Sequence, residues 1–170
     1  GGGSSPEELL ATIMNRAYRG SIYITPTSVA EDAARAHYDG IEPQLPAWMF
    51  RSGPEMVQPE ADAWGGRIAV LVDAGCGSAC EDFVMRFKEA RRGPVLGETT
   101  NGSTGQPYIV DLPEFGMNFR VSTKREYFPD GRQFEGVGVS PDAEIPLTRA
   151  EIRSGTDSQL ETAARIALRR

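Results

Sequence analysis

Arg67-Ile68-Ala69-Val70-Leu71-Val72-Asp73 runs into Ala74-Gly75-Cys76-Gly77-Ser78-Ala79-Cys80-Glu81-Asp82, and this join decides the fold. An apolar run of this length, without polar alternation, predicts a buried strand of the kind found in parallel sheets. Gly75 and Gly77 predict a tight turn after it. Phe83, Val84, Phe87 and Ala90 then recur at helical spacing, which predicts a helix from Ser78 to Ala90 ended by Arg91-Arg92-Gly93. Pro94-Val95-Leu96-Gly97 predicts the next short strand. Strand, helix, strand is the repeating unit of an α/β fold.

The same join carries a chemical reading. A sharp turn at the carboxyl end of a strand lifts the Ser78 hydroxyl to the sheet edge. The helix start that follows offers free backbone N–H groups and a positive dipole end, which can hold an oxyanion. The nucleophile elbow of hydrolases uses this logic, although the stretch is not G-x-S-x-G. A Ser at a helix start is more often an N-cap, so the local pattern leaves both readings open.

Toward the N-terminus, Ser5-Pro6-Glu7-Glu8 predicts a capped helix start, and Leu9, Leu10, Ile13, Met14 and Ala17 carry the helix to a stop at Gly20. Ser21 to Ile24 predicts a short strand. Ser28-Val29-Ala30-Glu31 predicts a second capped helix, ending near Tyr38. Gly40 to Gly66 is rich in Pro and Gly and has no period. It predicts a long surface excursion anchored by Trp48, Met49, Phe50 and Trp64, of a kind that tends to be functional. Toward the C-terminus, Glu98 to Gln106 reads as a polar loop. Pro107–Leu112 and Met117–Lys124 read as paired strands, with Arg125–Phe128 extending the second. Pro129-Asp130-Gly131-Arg132 is a turn, Val137–Val139 and Glu144-Ile145 are short extended pieces, and Thr156-Asp157 caps a last helix through Leu168.

The 170 residues suit one domain, read as spanning 1–170, with enough chain to bury a core. A net charge of −6 and a pI near 4.9 argue against nucleic acid or an anionic membrane surface as partner. The Arg91-Arg92 and Arg169-Arg170 pairs read as solvated helix ends. No apolar run is long enough for a transmembrane helix, and no signal peptide is visible. Opening on Gly1-Gly2-Gly3 without Met, the chain reads as a fragment of a longer one. Cys76 and Cys80 read as small buried residues beside the turn, not a disulfide framework, and they leave the redox compartment open. With only His37 to join them, they do not make a zinc site. His37 itself reads as a surface or helix-end histidine.

Several stretches, in order, resemble the catalytic domain of the tail-specific, or C-terminal processing, serine peptidases, a group that includes the tricorn protease core. Gly1-Gly2-Gly3-Ser4-Ser5 is similar to the end of the family's Asn-Gly-Gly-Gly stretch. Gly77-Ser78-Ala79-Cys80-Glu81 is similar to its nucleophile segment, with Cys80 where Ser or Ala is usual. Val95 to Gly102 is similar to its Val-Gly-Glu-x-Thr-x-Gly segment. Tyr127-Phe128-Pro129-Asp130-Gly131 followed by Glu135 to Asp142 is similar to the segment ending in its Gly-Val-x-Pro-Asp signature.

The resemblance implies a ClpP/crotonase-like fold, with a mixed sheet and flanking helices, and a Ser78 nucleophile. Processing peptidases of the family pair this Ser with a Lys. Here the position 25 residues after Ser78 holds Ser103, and no Lys lies in that loop. The chain is therefore similar to the tricorn-like branch, which uses a His supported by a Glu just before the signature, here Glu135. In that branch the His precedes the triple-Gly stretch and would lie upstream of Gly1, so the isolated chain is expected to be inactive. The oxyanion donors implied are the N–H groups of Ala79 and of Gly2 and Gly3, where glycine lets the backbone approach a reacting carbonyl closely. Ser103 and Thr104 would lie in a loop near the site. The substrate implied is a peptide or protein, the partners are upstream domains of the same polypeptide or further copies, and no metal or cofactor is implied. The location implied is extracytoplasmic. The same fold also serves non-catalytic modules that bind a peptide or an apolar ligand, and this is the second reading. A third, an acyl-CoA enzyme on the crotonase fold, has Glu135 and Pro141-Asp142 against it.

Overall fold

The structure, a computed structural model, describes residues 3, 6–27 and 48–168. In chain order its elements are α1 (Glu7–Ile13), β1 (Tyr18–Arg19), β2 (Ile22–Thr27), β3 (Trp48–Ser52), β4 (Met56–Val57), β5 (Val70–Val72), α2 (Ala79–Glu89), β6 (Val95–Gly97), β7 (Tyr108–Leu112), β8 (Met117–Val121), β9 (Arg125–Tyr127), β10 (Ala143–Glu144), α3 (Arg149–Ser154) and α4 (Ser158–Leu168). The turn forms as its sequence predicts, and the apolar run gives a parallel strand, but only over Val70–Val72 and not buried throughout: among the described residues β5 is the edge strand of its sheet, which leaves Leu71 exposed and Val72 buried. β5 pairs in parallel with β6, and α2 is the crossover between them. β10 joins the other side of β6, also parallel. The core forms where α2 lays Val84, Met85 and Phe87 beside Leu10 and Met14 of the N-terminal segment and Val95 of the sheet.

Asp142, from the Pro-Asp pair near the C-terminus, fastens this unit. Its Oδ2 accepts from the Val95 N–H at 2.8 Å, and Oδ1 lies 2.8 Å from Lys88 Nζ. Burial acts against ionisation there, yet these two contacts hold the Asp142 carboxyl below its usual pKa. α4 begins as predicted, with Asp157 Oδ1 accepting from the Leu160 N–H.

Elsewhere the structure corrects the sequence reading. α1 stops at Ile13, and Tyr18–Arg19 leave the helix to pair antiparallel with Val57 and Met56. Met14 and Tyr18 are both buried, so their helical spacing is met by a turn that puts both in the core. Pro6 is the N-cap residue of α1, not its first helical residue, and the predicted capping residue Ser5 lies outside the described residues. The stretch beyond Trp48 is no plain excursion, because β3 pairs along β2 from Tyr23↔Ser52 to Thr27↔Trp48 and β4 pairs with β1. β9 does not extend β8 but crosses to the other edge of β2, with Ile22 opposite Tyr127. α3, absent from the sequence reading, is closed by a Thr148–Glu151 capping box. Cys76 and Cys80, expected as separate small side chains, form a disulfide. The turn folds back so that their Cα atoms lie 5.5 Å apart, within bonding range.

Arg92, expected as part of a solvated helix end, lies inside the protein at 8% exposure. Its guanidinium donates to the carbonyls of Ile13, Trp64 and Gly66 at 2.6, 2.8 and 2.7 Å. The predicted helix after Ser28, His37, Gly2 and the Arg169-Arg170 pair lie outside the described residues.

Candidate active site

Ser78 stands at the junction of the turn and α2 with φ 57° and ψ −127°. An N-cap residue adopts extended backbone and turns its side-chain oxygen onto the N–H groups of the first turn. Ser78 does neither: φ is positive, and its side chain makes no capping hydrogen bond. A non-glycine residue at positive φ carries strain that the surroundings must hold in place. Here the Ser78 N–H donates to the Ser103 carbonyl at 2.8 Å, and the Ser78 carbonyl accepts from Glu81 N–H at 2.7 Å and Asp82 N–H at 3.1 Å. The Cys76–Cys80 disulfide spans the same turn. Ser78, Gly77 and Ala79 are half-buried.

The first N–H groups of α2 are not equivalent. Those of Cys80, Glu81 and Asp82 donate to the carbonyls of Gly77 and Ser78, while that of Ala79 has no acceptor among the described residues. Gly3 lies beside Ala79: a Cβ built on Gly3 would sit 4.0 Å from the Ala79 Cβ. The structure thus brings one glycine of the N-terminal stretch to the helix start.

The loop after β6 closes the other side. Asn101 N–H donates to the Cys76 carbonyl at 2.9 Å. Gly102, at φ 78°, passes so near the 136–138 backbone that a Cβ would lie 2.7 Å from Gly138 N and 2.8 Å from Val137 N. Only glycine fits that approach. Thr104 is buried at 3% exposure and donates through Oγ1 to Glu135 Oε1 at 2.7 Å, with its N–H at 3.3 Å from the same oxygen. Glu135 is half-buried. Ser78, Ser103, Thr104 and Glu135 are therefore linked through one loop by hydrogen bonds. A cavity of 440 Å³ lined by Met85, Phe128, Gln133 and Val139 does not include Ser78.

One residue of this neighbourhood was not singled out by sequence reasoning. Glu81 is fully buried, and its carboxylate accepts three bonds from the loop: Thr100 Oγ1 at 2.5 Å, Gly102 N–H at 2.6 Å and Ser103 N–H at 2.8 Å. Its sequence signal was its place on the helix, three residues before Val84 and four before Met85, on the apolar stripe.

Residues 8–145 match the model of Peptidase family S41. A carboxy-terminal-processing protease of Bartonella bacilliformis is 30% identical over 93 residues, 55% of this chain and 21% of that protein. A protein of Sulfurisphaera tokodaii designated a Tricorn-like protease C-terminal subunit is 27% identical over 128 residues, 70% of this chain and 14% of its own length. The chain thus spans about a fifth or less of these relatives. The solved structure of mature CPAF complexed with lactacystin superposes with a TM-score of 0.68 over 94% of this chain and 39% of that one, at 16% identity. That likeness places the architecture among ClpP/crotonase-like folds. With the family model matching most of its length, the chain belongs to peptidase family S41 and is a domain of the serine-peptidase type.

Proposed function

We propose that Ser78 is the nucleophile of this domain and that Glu135 orients its general base. The observation that carries the reading is the backbone of Ser78. A serine kept at φ 57°, with its hydroxyl not spent on capping, fits the strained strand-to-helix turn on which hydrolases mount a nucleophile. A serine hydroxyl is inert at neutral pH without a base. The base proposed is an imidazole from a segment preceding Gly1, with Glu135 accepting its N–H and favouring the imidazolium.

Ser78 Oγ then attacks the peptide carbonyl carbon while its proton passes to the imidazole. The oxyanion is held by the Ala79 N–H and by the Gly2-Gly3 backbone, a reading supported by the Gly3 approach to Ala79. The C–N bond breaks as the imidazole returns the proton to the leaving amine. Water, deprotonated by the same imidazole, hydrolyses the acyl-enzyme and restores Ser78. The substrate is a peptide or protein, bound in extended form beside the sheet. An extracytoplasmic location is part of the proposal, supported by the Cys76–Cys80 disulfide, since disulfides persist in oxidising compartments.

The test uses the full-length protein and a fluorophosphonate probe. Ser78 is expected to become labelled, Ser78→Ala to abolish labelling, and Glu135→Gln to slow it by about 10²- to 10⁴-fold. An unlabelled Ser78 in folded protein would overturn the proposal in favour of a non-catalytic binding module.

A further inference from the structure

We propose that Glu81 is a positioning residue, which through its three bonds to Thr100, Gly102 and Ser103 holds the loop that sets both Ser78 and Glu135. The inference deepens the Ser78 reading and rests on it. A carboxylate removed from water is costly unless donors surround it. Glu81 meets that condition with two backbone N–H groups and one hydroxyl, all from residues 100–103. The charged acceptor makes each bond stronger than a neutral pair would.

The consequences run two ways along the loop. Ser103 donates its N–H to Glu81 and accepts at its carbonyl from the Ser78 N–H. One peptide unit away, Thr104 donates to Glu135. Thr100 Oγ1, besides donating to Glu81, accepts from the Val139 N–H at 2.8 Å, which ties in the segment after Glu135. Glu81 itself is on the first turn of α2, three residues beyond Ser78. A single buried carboxylate thus connects the element carrying the nucleophile to the loop carrying the contact with Glu135. Ser103 is exposed and sits in a segment without regular structure, and among the described residues Glu81 is the one acceptor of its amide.

Glutamine at position 81 keeps the volume and one carbonyl oxygen, but it turns an NH₂ group toward a backbone N–H. Two donors then face each other, and one of the three bonds is lost. The first experiment needs no variant. In the wild-type chain, hydrogen exchange resolved to single amides is expected to show Gly102 and Ser103 protected like the amides of β6. Exchange at the rate of free surface amides would overturn the proposal.

The second experiment uses Glu81→Gln in the full-length protein, with folding checked by circular dichroism. Its Ser103 and Ser78 amides are expected to lose protection. Labelling of Ser78 by a fluorophosphonate is expected to slow by about 100-fold, and kcat on a peptide to fall by a similar factor with KM little changed, since displaced reacting groups raise the barrier without altering distant substrate contacts. A folded Glu81→Gln protein labelled at the wild-type rate would sink the inference while leaving Ser78 as nucleophile. A wild-type Ser78 that takes no label, with both amides protected, would sink the nucleophile reading and leave Glu81 as a structural clasp only.

Discussion

Ser78 holds a conformation that an L-residue adopts at a cost and glycine adopts freely. Replacing it with glycine separates that cost from the chemistry. Ser78→Gly is expected to raise stability by about 1 kcal/mol after the extra backbone entropy of glycine is deducted. For a chain of this size that is a Tm gain of about 2–4 °C, read by calorimetry. The same variant is expected to take no fluorophosphonate label. A lower Tm would mean that the turn stores no strain at Ser78. Glu81 and Glu135 show what a sequence reveals of a carboxylate. Glu135 stands before a recognisable signature, which is what marks it as a candidate, whereas Glu81 carries an ordinary helical residue type and its burial comes only from the packed loop.

At the scale of elements, the strand, turn and helix around Ser78 were legible because an apolar run, a glycine pair and a helical stripe each leave a periodic trace. β1, β4 and β10 are two residues long and leave none; they exist because partner strands supply their hydrogen bonds. α3 starts on a T-x-x-E pattern at Thr148–Glu151, but it buries no residue and so shows no apolar stripe beside that start. The end of α2 was misread because Arg92 has the residue type of a solvated helix end. It is instead the donor for three carbonyls on two segments. Arg92→Met is expected to cost about 3 kcal/mol, because the carbonyls of Ile13, Trp64 and Gly66 lose their donor. Denaturant unfolding would measure it. Arg92→Lys is expected to recover only part, since one ammonium cannot reproduce the planar fork. A loss below about 0.5 kcal/mol, the range of ordinary surface substitutions, would show that water replaces the guanidinium there.

The whole molecule carries a pH dependence that no single motif announces. Asp82 on α2 faces Glu126 on β9, which is 2% exposed, with Lys124 3.0 Å from Glu126 and Arg86 nearby. Burial first, and then the Glu126 charge, push the Asp82 carboxyl up from 3.8 to about 6, while Lys124 and Arg86 pull against them. The folded protein thus keeps a proton that the unfolded chain has released between those values. The contribution of Asp82 to stability falls as pH rises from about 4 to about 6, by up to roughly 3 kcal/mol, and is level above that. Asp82→Asn mimics the protonated form. It is expected to flatten this slope and to exceed the wild type in Tm at neutral pH, whereas parallel curves would show that Asp82 is not the titrating group. Another property of the whole protein, its chemical lifetime, follows from the bond between Glu81 and the Gly102 amide. An Asn-Gly step deamidates when the glycine nitrogen attacks the asparagine side-chain carbonyl and closes a succinimide. At Asn101-Gly102 that nitrogen is engaged at 2.6 Å by a buried carboxylate, and the backbone of 136–138 leaves it no room to swing. Peptide mapping after prolonged mildly alkaline storage is expected to find Asn101 intact in folded protein and converted in denatured protein. The contact that orders the site would then also keep its most perishable peptide step from ageing.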